Sequence, residues 1–267
     1  MYLDHWKLNE KPFENTPDPR FFYQSPQHKE GLSRLIYVVR EEKGAGLITG
    51  TYGCGKTLLG HTLFAELEKD IYRVAFLTNP RLDDIEMLRM IIYLLEGQQQ
   101  VPTRKADVLM SLEHVLASNM RDGKKTVIVI DEAHTIEQNS IFEEIRLLLN
   151  YQLENQFLLT LLLFGQPELK GKIESNKQLN QRIAMRYHLQ GLTMEETAGY
   201  IEHRLLVAGG KSEIFEDNAL SLVFERSGGI PRRINQICDM ALLTGMTLKA
   251  EKISTNIIKE AIESLEH

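Results

Sequence analysis

The sequence predicts an α/β fold in which strands alternate with helices, followed by a region made only of helices. Three observations support this: five short apolar segments resemble buried strands, segments with helical spacing lie between them, and strand-like segments cease near residue 190. The predicted strands are 46–49, 72–78, 126–130, 157–164 and 185–189. The segment 141–153 is predicted to be an amphipathic helix. We expect an N-terminal arm and helix at 1–45, an α/β core at 46–190 and a helical domain at 191–267.

Composition sets outer limits on function. The chain has 267 residues, 43% of them hydrophobic and 25% charged, which is ordinary for a globular protein with a sizeable core. Its net charge of −6 argues against a broadly basic nucleic-acid surface, although not against a local basic patch. Cys54 and Cys238 form no C-x-x-C motif, so we expect a reduced, cytoplasmic protein. No apolar stretch has the length of a membrane helix, and the first residues lack a signal-peptide pattern.

The segment 50–57 fits the phosphate-loop pattern G-x-x-x-x-G-K-[ST], between a predicted strand and a predicted helix at 58–69. Glycines let the backbone turn its N–H groups toward a phosphate, and the helix N-terminus favours negative charge. The Lys56 ammonium has the reach for the β- and γ-phosphates, and the Thr57 hydroxyl for Mg²⁺. The predicted nucleotide contacts are Gly50, Thr51, Tyr52, Gly53, Cys54, Gly55, Lys56, Thr57 and Leu58.

Two acidic residues follow the apolar β-branched strand 126–130. Asp131 occupies the position of the acid that helps to hold Mg²⁺ in nucleotide-hydrolysing proteins, and Glu132 that of the base that polarises the attacking water. The alternative is that both are solvated loop residues. His134 completes the sequence Asp-Glu-Ala-His, and we expect it to be a helix cap or a surface residue without a catalytic role.

Gln166 follows the apolar strand 157–164. A polar side chain at this strand end is expected beside the strand that enters the phosphate loop, where it would sense the γ-phosphate or position the water. The alternative is an amide that satisfies its own turn.

The segment 168–186 contains five Lys or Arg and two Glu, a local charge of +3. Arg182 and Arg186 share a helix face if the helix extends that far. Arginines just before the last strand suit an arginine finger that contacts the γ-phosphate in a neighbouring subunit. Surface salt bridges or a basic patch for nucleic acid are the alternatives.

From Thr193 onward the pattern is helical. Thr193 with Glu196 resembles a capping box that starts a helix to about residue 208, and Asp217 is predicted to cap a helix that ends near residue 227. A third helix is predicted from about residue 231 and a fourth at 254–265. An arginine at the start of the third helix has the reach to contact the nucleotide; Arg232 is the first choice and Arg233 the second. Their alternative role is binding at the domain junction or to solvent. Ser25–Pro26 resembles a helix cap followed by a first-turn proline. The predicted helix at 27–42, with the arm before it, either covers the nucleotide base or packs as core.

Together these landmarks resemble an AAA+ ATPase. The N-terminal arm resembles more narrowly the general secretion pathway protein A family, which includes pilus-biogenesis ATPases. The segments that carry the resemblance are 12–13, 16–21, 25–32, 50–57, 131–132, 165–167, Arg182, Arg186 and 229–235.

The resemblance implies a parallel five-stranded α/β domain with a helical lid, and ATP with Mg²⁺ as cofactors. ATP would lie between these parts and be contacted by the next protomer of a ring or filament, with adenine near 23–32. Asn79 matches the position of a switch residue that holds the catalytic glutamate inactive. Secretion-type members usually continue into a membrane helix and a cell-wall-binding region, whereas this sequence ends just after the lid. Those attachments are therefore not carried over.

We therefore predict an ATP-hydrolysing homo-oligomer that assembles a secretion or pilus apparatus with a protein client. Its expected location is cytoplasmic or, through partners, at the inner membrane. Two alternatives remain open: a transposition helper that binds DNA and recruits a transposase, and a slow nucleotide-dependent assembly switch. Net acidity weighs against the first, although the basic 168–186 segment keeps it open. The intact pair Asp131–Glu132 and the available Arg186 weigh against the second.

Overall fold

The computed structural model describes residues 1–97, 101–153 and 156–266. Contacts along the chain divide it into two compact units. We call the first the helical unit; it comprises 1–29, 51–58 and 190–267. The second, the sheet unit, comprises 30–50 and 59–189.

The sheet unit is built on a five-stranded parallel sheet with the order β2-β3-β6-β1-β7, which confirms the predicted fold class. A short antiparallel hairpin, β4 with β5, stands apart from it. The strands are β1 (Ala45–Gly50), β2 (Tyr72–Leu77), β3 (Lys125–Ile130), β4 (Gln152–Leu153), β5 (Gln156–Phe157), β6 (Leu159–Gly165) and β7 (Ile183–Leu189).

The central strands are apolar because both faces of the sheet are covered. Every residue of β1 and β6 is buried, as is every residue of β3 after its first. The edge strand β7 is buried mainly at its two ends. Thr49 of β1 is in register with Gly165 of β6, and Ile130 of β3 with Leu163. The residues that follow β1, β3 and β6 therefore start from the same edge of the sheet.

Twelve α-helices accompany the strands in the described ranges. α4 and α9 each begin with a capping box, from Asp83 with Glu86 and from Thr193 with Glu196, and the second of these was predicted. The helices are α1 (Leu3–Trp6), α2 (Pro26–Arg40), α3 (Lys56–Glu66), α4 (Asp84–Glu96), α5 (Lys105–Arg121), α6 (Asn139–Leu148), α7 (Glu168–Ser175), α8 (Lys177–Arg182), α9 (Met194–Val207), α10 (Asp217–Ser227), α11 (Pro231–Thr247) and α12 (Thr255–Glu266).

The helical unit has a core of its own, to which the N-terminal arm contributes aromatic side chains. Trp6, Phe13 and Phe21 are buried among the apolar faces of α9 to α12. The indole N–H of Trp6 donates to the carbonyl of Leu242 at 2.9 Å. Buried polar contacts of this kind fix the arm in one position, because a displaced arm would leave the donor unsatisfied.

Arg204 is a second fastening between the arm and α9. Its guanidinium is 4% exposed, donates to the carbonyls of Pro12 and Glu14, and lies 4.8 Å from the ring centroid of Phe21. Another N–H donates to the Tyr200 hydroxyl at 2.7 Å. Arginine suits this role because its fork of donors serves several acceptors at once.

Four element boundaries differ from the sequence prediction. The predicted helix near 141–153 ends at Leu148, because the chain then enters the β4-β5 hairpin. The predicted strand 157–164 starts at Leu159. Asp217 is the first residue of α10 and not its cap. The helix containing Arg182 ends there, because from Ile183 the backbone pairs with β1; Arg186 lies on β7, so the two arginines share no helix face.

Among the helices of the described residues, none is long and apolar enough to cross a membrane.

Candidate nucleotide-binding site

The phosphate loop leaves the carboxyl end of β1 after Gly50 and ends where α3 begins at Lys56. Gly53 and Gly55 have φ angles of +83° and +97°. Side chains rarely tolerate this conformation, and a backbone that alternates through it forms concave arrays of N–H groups that bind anions. The N-terminus of the 11-residue helix α3 adds a favourable field for negative charge. The local structure is therefore that of an anion-binding loop.

Lys56 is 5% exposed, and its ammonium lies within the loop itself. Nζ donates to the carbonyl of Thr51 at 3.0 Å and lies 4.0 Å from Sγ of Cys54. Thr57 and Leu58 are half-buried at the next two positions. The helical unit thus holds the lysine charge beside the loop backbone, where a phosphate would be bound.

His28 is a loop neighbour to which sequence reasoning assigned no role. Its Nε2 donates to the carbonyl of Cys54 at 3.0 Å, and the Ser25 hydroxyl donates to Nδ1 at 2.8 Å. Burial lowers the pKa of His28, which favours this neutral ring. A Cβ on Gly55 would lie 3.1 Å from the same Nε2. The predicted helix cap Ser25–Pro26 indicated where the helix begins. It did not indicate that His28 would bind the carbonyl of Cys54.

Arg232 lies against the loop from the start of α11. Its backbone N–H donates to the carbonyl of Gly53 at 3.2 Å, and its guanidinium lies 4.5 Å from the ring centroid of Tyr52. Any Cβ on Gly53 would approach the Cβ of Arg232 to 2.7 Å. Arg233 is exposed. Of the two arginines considered from the sequence, the helical unit therefore brings Arg232 to the loop.

Glycine places this start of α11. Gly229 has a φ of +70°, and a Cβ there would lie 2.0 Å from the carbonyl oxygen of Leu192. The N–H of Leu192 in turn donates to the carbonyl of Gly229 at 2.8 Å. Pro231 then occupies the first helical position, where its missing N–H costs nothing. The motif Gly-Gly-Ile-Pro-Arg thus sets the position of the arginine by close backbone approach.

In the sheet unit, Asp131 and Glu132 follow β3. Asp131 is 2% exposed, and its Oδ1 accepts the N–H of Glu132 at 2.8 Å. Glu132 has a φ of +52°, the left-handed region that non-glycine residues seldom adopt. The N–H and hydroxyl of Thr135 both donate to the Glu132 carbonyl at 2.8 Å. Strained residues held in this way concentrate at functional sites.

His134 is not the cap or surface residue expected from the sequence. It lies in a 3₁₀ turn (Ala133–Thr135), and its side chain is 15% exposed. Its Nε2 is 2.9 Å from Nε2 of Gln166 and 3.5 Å from Oε2 of Glu132. The structure therefore brings the predicted residues Glu132 and Gln166 to the two sides of one imidazole nitrogen. The sequence pattern Asp-Glu-Ala-His was visible, but the contact with Gln166 requires the sheet order.

The other predicted residues of the sheet unit form hydrogen bonds with partners outside the cluster of Glu132, His134 and Gln166. Asn79, after β2, accepts the N–H of Arg81 at 3.3 Å. Arg182 donates to the side chain of Asn150 at 3.1 Å. Arg186 donates to the backbone and side-chain oxygens of Asn180 at 2.8 and 2.9 Å. Both arginines are exposed, and exposure is what contact with another copy of the chain requires.

Comparison with known proteins agrees with this geometry. A family model described as an AAA domain matches residues 39–173, about half of the chain. General secretion pathway protein A of Aeromonas hydrophila is 36% identical over 260 residues, which cover 95% of this chain and 46% of that protein. This chain therefore spans about half the length of that relative.

Two solved structures share the fold. The ORC2 protein of Aeropyrum pernix in its ADPNP-ADP complexes superposes with a TM-score of 0.72 at 16% identity, over 96% of this chain and 71% of that one. The Drosophila ORC bound to DNA superposes with a TM-score of 0.72 at 15% identity, over 97% and 65%. These two likenesses show the fold. The family model that matches half of the chain shows that the chain belongs to the AAA domain family.

Proposed function

We propose that this chain is an ATP-hydrolysing AAA+ protein that works as an oligomer in the assembly of a secretion or pilus apparatus. The carrying observation is the strand-end cluster of the sheet unit, with Glu132 strained and Gln166 beside it across one histidine. A protein that only binds nucleotide needs no more than a phosphate loop. The side chains of the strand-end cluster are in addition suited to positioning the attacking water, which hydrolysis requires. The process is proposed from the similarity to general secretion pathway protein A.

ATP binding is assigned to the loop. Its amides and Lys56 would bind the phosphates, and Arg232 would contact the γ-phosphate. Thr57 offers a hydroxyl and Asp131 a carboxylate, which are the oxygen donors that Mg²⁺ prefers when waters and phosphates complete its shell. Bound Mg²⁺ neutralises charge on the transferred phosphoryl group. Asp131 fits this role because the Glu132 N–H orients one of its carboxylate oxygens.

Hydrolysis is assigned to the strand-end cluster. Glu132 would accept a proton from the attacking water, which requires its carboxylate to lie one water from the γ-phosphate. Gln166 would report the γ-phosphate through its amide N–H. Arg182 or Arg186 would reach that phosphate from a neighbouring subunit and stabilise its transition-state charge.

The first experiment measures ATPase rate per subunit against protein concentration, with and without duplex DNA, at fixed low salt. Lys56→Ala is the control for contaminating ATPases. A rate per subunit that rises with concentration supports a site completed between subunits, and independence from DNA supports the secretion or pilus role. Absence of hydrolysis under every condition would remove the enzyme assignment and favour a nucleotide-dependent assembly switch.

The neighbour contact is tested by mixing impaired variants. Arg186→Ala is expected to lower activity and Lys56→Ala to abolish it, whereas a mixture regains activity because one intact site forms from two different subunits. The same mixture made with Arg182→Ala shows which arginine is the finger. No recovery at any ratio for either arginine would contradict a finger supplied by a neighbour.

A DNA-binding transposition helper is the second candidate. It is favoured by the excess of basic residues at 168–186 and by the fold shared with the Drosophila ORC bound to DNA. Lys172 donates to two backbone carbonyls and Lys170 faces Glu174, so part of this charge is already engaged. Strong stimulation by duplex DNA that disappears at higher salt would support this candidate, since contacts with DNA phosphates are salt-dependent.

A further inference from the structure

We infer that His134 is a positioning residue that couples Gln166 to Glu132, so that the side chain facing the γ-phosphate controls the one that activates water. This inference rests on the proposed ATPase function, and it deepens that function by adding a residue between two assigned roles. His134 itself needs no contact with nucleotide.

The contact geometry gives one nitrogen two partners. Nε2 of His134 lies 2.9 Å from the Gln166 amide nitrogen, within hydrogen-bond range, and 3.5 Å from Oε2 of Glu132, beyond it. Nδ1 is buried and has no hydrogen-bond partner among the described residues. The ring therefore interacts through Nε2 only. A change in the position of Gln166 or Glu132 should therefore alter the interaction of Nε2 with the other residue.

The backbone on both sides of the ring is fixed. Nζ of Lys172 donates to the carbonyls of His134 and Ile136, both at 2.6 Å, and so ties the turn to α7. At Gly165 a Cβ would lie 3.1 Å from the backbone nitrogen of His134. The absence of a side chain at Gly165 permits this close approach of β6 to the turn. Because these contacts hold the turn at 133–135 in place, we expect the His134 ring to respond to a change by exchanging hydrogen-bond partners.

The chemistry of a neutral imidazole sets the direction of the coupling. With Gln166 donating to it, Nε2 is an acceptor and has no hydrogen for Glu132. When the Gln166 amide turns to a phosphate oxygen, the neutral ring changes tautomer: Nε2 takes up one proton from solvent and Nδ1 releases one to solvent, so the net charge is unchanged. The Nε2–H then donates a hydrogen bond to the Glu132 carboxylate. That hydrogen bond would orient the carboxylate toward the water in the nucleotide-bound state.

The first test is a double-mutant cycle on turnover with His134→Ala, Gln166→Ala and the double variant. His134→Ala is expected to lower kcat about tenfold while the ATP dissociation constant and the thermal midpoint stay within error of wild type. The double variant should be no slower than the slower single variant, because both act through the same contact. His134→Gln should recover much of the activity, since its amide can also donate to Glu132.

The control is His114→Ala, an exposed histidine on α5 that should leave every quantity unchanged. Fully multiplicative losses in the double variant would overturn the inference, because independent roles multiply. A loss of thermal stability that accounts for the fall in activity, with no recovery in His134→Gln, would also overturn it by giving His134 a merely structural role.

A second measurement does not depend on turnover. The imidazole ¹⁵N signals of His134, assigned by their loss in His134→Gln, are followed in wild type, Gln166→Ala and Glu132→Gln. The inference expects the Nε2 signal to shift in both variants and to stay in place in Arg233→Ala. Unchanged signals would overturn the coupling even in an active enzyme. If the protein hydrolyses no ATP but the Nε2 signal shifts in both variants, the ATPase proposal is overturned, whereas the coupling of His134 to Gln166 and Glu132 is supported.

Discussion

The phosphate loop and the strand-end cluster are built in opposite ways. The phosphate loop in the helical unit is short and rich in glycine, and its neighbours are distant in sequence: His28 lies 26 residues before the carbonyl it binds, and Arg232 comes from the start of α11. The acids of the sheet unit follow a fully buried strand, and contacts within 131–135 hold them. Changes around the loop should therefore alter nucleotide affinity, and changes at the strand ends should alter turnover.

The largest effect is expected at Glu132. Glu132→Gln keeps the size and polarity of the side chain but removes its ability to accept a proton, so kcat should fall by about 100-fold or more, the usual contribution of a general base. The ATP dissociation constant should stay within about twofold. Both quantities are measured on the same preparation, by steady-state phosphate release and by binding of a fluorescent ATP analogue.

Glu137→Gln is the matched control, since Glu137 is exposed a few residues away. Ordinary turnover in Glu132→Gln would remove Glu132 from its role. A large loss of ATP affinity in this variant would contradict the division between a binding loop and a catalytic strand end.

Arg232→Ala should have the next largest effect. The arginine packs on Tyr52 and its backbone binds Gly53, so the charge is already close to the loop. Hydrogen bonds to a charged group contribute about 1.5–3 kcal/mol, so loss of one to a phosphate should lower kcat/KM for ATP at least tenfold. Arg233→Ala, at an exposed position of the same helix turn, should behave like wild type. Equal losses of kcat/KM in the two variants would mean that any nearby positive charge assists the reaction, and would contradict a specific role for Arg232.

Gly53→Ala tests the close packing of the loop and should weaken ATP binding about fivefold. The new Cβ would lie 2.7 Å from the Cβ of Arg232, a backbone-proximal atom that has little freedom to move. Gly123→Ala is the control, because Gly123 has a similar φ of +71° and no atom within 4 Å of an added Cβ. Calorimetric titration with ATP compares the two. Equal affinities would mean that the loop does not depend on its contact with α11.

Local sequence motifs were enough to predict the strands, one helix start, the phosphate loop and the acids after β3. The five strands were visible because a strand buried on both faces is apolar throughout, and Thr193 with Glu196 marked a helix start by their spacing. The loop glycines and the acids after β3 were likewise identified within a few residues of sequence. None of these predictions required knowledge of tertiary contacts.

The parts that the sequence did not predict depend on contacts between distant segments. No local signal indicated that His134 would meet Gln166, since that contact follows from β3 and β6 being neighbours in the sheet. The predicted strand 157–164 begins only at Leu159, because Phe157 pairs with Gln152 in the β4-β5 hairpin. His28 shows the same limit, because its helix start was predictable whereas its bond to the Cys54 carbonyl was not.

His28 also provides the smallest expected effect, a pH dependence specific to the helical unit. Burial lowers the pKa of His28 below its ordinary value of 6.5, opposed in part by the Cys54 carbonyl and Glu196. The folded chain therefore takes up a proton here less readily than the unfolded chain. Stability is fully present well above pH 6.5 and is lost as the pH falls below that value, because protons then bind preferentially to the unfolded state.

His28→Gln keeps an N–H donor for the Cys54 carbonyl but does not titrate. Between pH 7.5 and 5.5, its thermal midpoint should fall less than that of wild type, because only wild type loses the stability that the neutral His28 contributes at higher pH. His114→Gln should follow wild type, because His114 is an exposed side chain on α5. Parallel curves for all three proteins would show that His28 is not held neutral in the folded chain, and the loop would then depend on Arg232 and its glycines alone.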